Sequence, residues 1–169
     1  MPKSNDYIEL LAILEMEKAV YESLLVTLKR KQKAVITGAV DELRNLIMEE
    51  KEIIKNSVDA ARARVDFISK FCIERNIKGT NIPLKDFIGF SPEPEKNKME
   101  NIRYELKNIL NEIKTVNRQN ETLLHFSINH VQKMTNIFLH SGREEMNMYS
   151  IDGKKYIKEI NQKFVNHQI

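Results

Sequence analysis

This chain is poor in the residues that break helices, staple loops or cross membranes. Its 169 residues hold only five glycines and four prolines. A sheet protein needs a turn every few residues, so this scarcity of punctuation excludes a β-rich fold and points to an all-α one. The single cysteine, Cys72, cannot form an internal disulfide, which excludes a stapled secreted scaffold. With Phe71 and Ile73 beside it and no adjacent base, it reads as a small core hydrophobe. Residues Met1 to Asp6 lack the apolar centre of a signal peptide, and no apolar run approaches membrane-spanning length. The expected location is the cytoplasm. Charge of one sign is missing too: 27 Lys and Arg face 24 Asp and Glu, an excess too dispersed for a nucleic-acid partner.

Signatures of chemistry are equally scarce. The four histidines are His125, His130, His140 and His167, and no His-Glu-x-x-His pair occurs. Glu121 and His125 stand one residue too far apart for the Glu-x-x-His unit of a di-iron bundle, and there is no second copy. Paired-cysteine zinc spacings and a glycine-rich phosphate loop are absent. Helical carboxylates are interleaved with lysines, so none stands out as a catalytic acid. The expectation is a protein that is not an enzyme and uses no metal or cofactor.

Long helical stripes are what the chain does contain. From Lys96 to His140 neither proline nor glycine intervenes, and Ile102, Leu106, Ile109, Ile113 and Val116 recur in steps of three and four. Leu123, Leu124, Ile128, Val131, Met134 and Phe138 continue the pattern on a wider face. Such a helix is on the order of 65 Å long and needs neighbours along its apolar side. Two more stripes supply them. Tyr7, Leu11, Leu14, Tyr21, Leu25 and Leu28 form one, opened by a cap at Asp6, with Lys29 to Lys33 placed to complement the helix dipole. Leu43, Ile47, Ile54, Ala61, Val65 and Ile68 form the other. Gly38 divides them, and so short a break returns the second helix antiparallel to the first.

These patterns predict an all-α fold: an elongated, antiparallel, coiled-coil-like three-helix bundle with a flexible or short-helical C-terminal tail. Its helices fall at about residues 6–36, 41–75 and 93–141, inside a bundle of residues 1–143. Residues 76–92, with Gly79, Pro83, Gly89 and Pro92, form the connecting loop, where Leu84 to Ile88 has room for one helical turn and Phe87 and Phe90 can tuck inward. Ser91-Pro92-Glu93 reads as the cap and first turn of the third helix, and Gly142 as its C-terminal cap. Residues 144–169 form the tail, where Asp152-Gly153 suggests a turn and Tyr156, Ile157, Ile160 and Phe164 share one side of a short helix. Asn117 and Asn120 mark a polar seam in the third helix. Either they lie among apolar neighbours and fix register, or the helix rotates and both reach solvent.

The order of these features resembles the FlgN family of flagellar export chaperones over nearly the whole chain. The residues that carry the likeness are Leu24-Leu25, the junction from Thr37 to Leu43, the run from Val116 to Leu124, and Tyr149-Ser150-Ile151-Asp152-Gly153. The chain departs from the family pattern at Ser150, where Gly is expected after the tyrosine. The resemblance implies a cytoplasmic protein that binds the hook–filament junction proteins, the hook-associated proteins FlgK and FlgL. It would keep them from assembling prematurely and deliver them to the flagellar type III export gate. It also implies a gate contact for Tyr149.

The tail's apolar residues suit a client-binding role apart from that likeness. The expected contact residues are Phe138, Met146, Met148, Tyr149, Ile151, Tyr156, Ile157, Ile160 and Phe164. A structural coiled-coil protein that oligomerises through its apolar seams is the alternative reading. On either one, the long helix is core over its first half and a binding surface over its second.

Overall fold

The computed structural model describes residues 4–77, 82–141, 147–149 and 155–157. In order these form α1 (Ser4–Thr37), α2 (Val40–Glu74), α3 (Leu84–Gly89), α4 (Glu95–Ser141), β1 (Asn147–Tyr149) and β2 (Lys155–Ile157). The chain divides into two compact units, Met1–Leu124 and His125–Ile169. The division falls inside α4, ahead of the change in composition near residue 143.

Both helix ends of the α1–α2 hairpin close in the same way. Gly38 has a φ of 68°, the Ala39 amide donates to Ala34 O at 2.9 Å, and the Gly38 amide donates to Val35 O at 3.3 Å. This is a Schellman closure, which needs the left-handed residue that glycine supplies. At the far end Asn76 takes that place with a φ of 52°, and Ile77 donates to Cys72 O at 3.0 Å. Asparagine is the residue that best tolerates the conformation after glycine.

Polar links set the direction of each helix. Asp6 accepts from Arg75 at 2.7 Å, Glu17 from Arg64 at 2.8 Å, and Glu49 from Thr27 at 2.8 Å. Partner numbers fall on α2 as they rise on α1, so the two helices run antiparallel. Toward α4 they rise together: Lys18 pairs with Glu105, Lys29 with Glu112, and Gln32 with Gln119. α4 therefore runs parallel to α1. The Lys18 ammonium is held above the usual lysine range by its hydrogen bond to Glu105. Asp6 lies within the first turn of α1 rather than ahead of it.

Two clusters of buried side chains hold this unit together. Tyr7, Leu10 and Leu14 of α1 meet Ile68, Phe71 and Cys72 of α2 and Met99, Ile102 and Leu106 of α4. Leu24, Leu25 and Leu28 meet Val116, with Ile53 and Ile113 packed alongside. Cys72 is wholly buried, as a small hydrophobe.

The connecting segment is more ordered than a loop. α3 drives Phe87 and Ile88 into the first cluster, and the Phe87 ring lies edge-on to Phe71 at 4.8 Å and to Tyr7 at 6.2 Å. Phe90 does not tuck inward. Its side chain is 60% exposed, and its backbone carbonyl accepts from the Tyr7 hydroxyl at 3.1 Å. Burial pushes the Tyr7 phenol above its ordinary value. Ser91 is buried and donates to Phe87 O at 3.4 Å, so it closes α3 instead of capping α4.

Asn117 and Asn120 part company. Asn117 is exposed, whereas Asn120 is 1% exposed and donates through Nδ2 to Leu28 O at 2.9 Å. Its Oδ1 is buried with no protein partner. Asn120→Leu keeps the branched shape and removes that orphaned acceptor, so it is expected to raise stability by about 1 kcal/mol. A urea melt reads this directly.

In the second unit β1 pairs antiparallel with β2, with Met148 opposite Tyr156 and Tyr149 opposite Lys155. This corrects the expected short helix across Tyr156 and Ile157. A helix of about a dozen residues is marginal in water. The aromatic and β-branched residues at this point favour an extended backbone that a neighbouring strand can pair. A strand repeats every two residues, so the one-sided stripe read at helical spacing does not apply over Lys155–Ile157.

Candidate partner-binding face

Within the first unit α4 buries one side against its neighbours. Leu106 and Val116 are each 7% exposed under α1 and its neighbours. The hydrogen bond from Gln32 to Gln119 comes shortly before α1 ends at Thr37, which sets the end of the α1–α2 hairpin level with Leu123 and Leu124. α4 continues to Ser141 with its apolar spacing intact.

Beyond that level the same line of residues meets solvent. Val131 is 62% exposed and Ile137 61%, with Met134 and Phe138 on the same stripe. Phe126 joins Ile137 on one flank, and Ile128 joins Leu139 on the other, all of them exposed. At about 100° per residue this apolar arc takes in more than half of the helix circumference. Between Thr122 and Ser141 the only Lys, Arg, Asp or Glu is Lys133. The arc is interrupted by Ser127, His130 and Thr135, and it carries little formal charge. Exposed apolar patches of this kind are the usual mark of contact surfaces.

The expected contact residues fall into three groups. Phe138 lies on this face and is 72% exposed. Met148, Tyr149, Tyr156 and Ile157 belong to the strand pair, where the structure describes the backbone. Met146, Ile151, Ile160 and Phe164 lie outside the described residues, as does Gly142. Val131 and Met134 stand in the half of the long helix expected to be a binding surface, although the contact residues named individually there were Phe138 and the tail. Phe126 and Leu139 stood off the main stripe, and only the lack of nearby charge marked them.

Among the described residues no group of three or more His, Cys, Asp or Glu side chains is placed to hold a metal ion. Among the same residues no helix is long and apolar enough to cross a membrane. The FlgN protein family model matches residues 1–157. The chain belongs to the FlgN family. No curated protein and no solved structure matches it. The family match takes in all of α4 and ends where β2 ends, so Ile160 and Phe164 lie beyond it.

Proposed function

We propose that this FlgN-family chain is a cytoplasmic chaperone of flagellar type III export. It binds hook–filament junction proteins of the FlgK and FlgL type, keeps their terminal helices from assembling early, and hands them to the export gate. The exposed apolar end of α4 supports this reading most strongly. A client helix laid along Val131, Met134 and Ile137 covers its own assembly face while it covers theirs. In this reading residues 1–124 are a three-helix bundle that serves as the rigid grip. Phe138 and the tail contacts from Met146 to Phe164 complete the client surface, and Tyr149 carries the contact with the gate.

The mechanism is physical. Burial of apolar surface drives capture, at about 25 cal/mol per Å² removed from water. Release follows when the export machinery competes for the same client segment.

The test is a titration of a FlgK-type protein against the full chain and against a chain cut after Gly142. The cut chain is expected to keep its helical content and melt cooperatively, while binding the client at least about tenfold more weakly through loss of the tail contacts. Undiminished binding by the cut chain would remove the tail from the client surface. The same wide face also suits self-association, the scaffold reading. Light scattering of the free chain separates the two, because a tight oligomer that persists on dilution and excludes the client would favour the scaffold.

A further inference from the structure

The apolar arc of α4 has one titratable side chain set inside it. His130 lies four residues from Phe126 and from Met134, and seven from Ile137, so it shares their side of the helix. At 100° per residue it falls between Met134 and Ile137, about 40° from the first and 20° from the second. All four side chains are exposed. Among the described residues no hydrogen bond or ion pair holds the His130 ring.

Ser127 and Thr135 also interrupt the arc, but neither can carry a positive charge. Thr135 brings its own partner as well, since its hydroxyl donates to Val131 O at 2.9 Å. His130 has no such relief. Lys133, three residues on, adds like charge beside it. His125 stands about 140° away round the helix, and Glu121, the acid of α4 that comes before it, lies on the opposite side at about 180°. No carboxylate of α4 is therefore placed to receive an imidazolium at this point.

We propose that His130 makes client capture depend on pH. The α4 face accepts a client helix while the imidazole is neutral and refuses it once the ring is protonated. The inference rests on the client-binding reading of this face. A helix laid along Val131, Met134 and Ile137 covers the ring that stands between the last two. A neutral imidazole is a small amphipathic group and can be covered at the cost of at most a hydrogen bond. An imidazolium has to leave water with nothing on this chain to pair it, and an unpaired charge is far costlier to bury. The client that suits the face carries an apolar stripe with no carboxylate opposite His130.

Calorimetric titration of the full chain with a FlgK-type protein, at pH 7.5 and at pH 5.5, tests this. Imidazole in water loses its proton at about pH 6.5, so capture by the neutral form alone is expected to be about tenfold weaker at the lower pH. Buffers of different ionisation enthalpy should then show about one proton released per complex at pH 5.5. The quantity compared is the ratio of the two affinities, in the wild type and in His130→Leu, so that titration within the client cancels. His130→Leu should lower that ratio about tenfold and bind at least as tightly at pH 7.5. His125→Gln, on the far side of the helix, should leave the ratio as in the wild type. Both side chains are exposed, and a melt at each pH confirms that the variants fold. The same ratio in the wild type and in His130→Leu would overturn the proposal and leave the chaperone reading standing. A client that binds more tightly at pH 5.5, with that gain lost in His130→Leu, would overturn it too, by placing a client carboxylate on the ring. No capture by the wild type at pH 7.5 would strike the client reading and this inference with it.

Discussion

Arg64→Ala is expected to lower the unfolding free energy by about 3 kcal/mol. Glu17 sits on the inner side of α1 with its side chain only 4% exposed, and both its oxygens accept from Arg64, at 2.8 and 3.3 Å. Removing the guanidinium leaves a carboxylate buried without its partner, a loss that commonly costs about 3–5 kcal/mol. The lower figure applies because Arg64 keeps a quarter of its own side chain in solvent. For a chain of this size the melting temperature should fall by roughly 6–12 °C. Replacing both partners by leucine removes the stranded charge as well as the pair, so the double variant should lie within about 1 kcal/mol of wild type. A double variant as unstable as Arg64→Ala would mean that the lost packing of Arg64, rather than the charge on Glu17, sets the cost. Its own burial, and then the neighbouring Glu17 carboxylate, raise the Tyr21 phenol above its ordinary value.

The second large effect is on binding. Val131→Glu together with Ile137→Glu is expected to weaken capture of a FlgK-type client by about a hundredfold, the scale of a binding hot spot. Each substitution puts a carboxylate where the proposed client helix would exclude water, and each unpaired charge is costly to desolvate. Both side chains are more than 60% exposed in the free chain. Stability should therefore change by less than about 0.5 kcal/mol, as is usual for surface substitutions. Loss of binding with an unchanged melt identifies a contact surface. A matched loss of both would make these residues part of the fold.

Much of this arrangement was legible in the sequence because it rests on long, regular periods. The stripes of α1, α2 and α4 and the turn at Gly38 follow from three- and four-residue steps and one glycine. α2 was expected at 41–75 and is found at Val40–Glu74. The misses share a cause, which is that tertiary partners outbid local signals. Asp6 has the chemistry of a helix cap, yet its carboxylate goes to Arg75 across the hairpin. Phe87 and Phe90 are equally apolar, but only Phe87 lies on the face that α3 turns inward. Asn117 and Asn120 differ by less than one helical turn, enough to put one in solvent and the other in the seam. The strand at Tyr156 was hidden because so short a stretch fits either period.

Hydrogen exchange on the full chain, with and without a FlgK-type client, tests the chaperone account most directly. The α4 end has an exposed apolar face and is expected to exchange readily when free. On client binding, amides from about Phe126 to Leu139 should become strongly protected, with little change in the α1–α2 hairpin. Protection confined to other parts of the chain, with these amides exchanging as before, would contradict it.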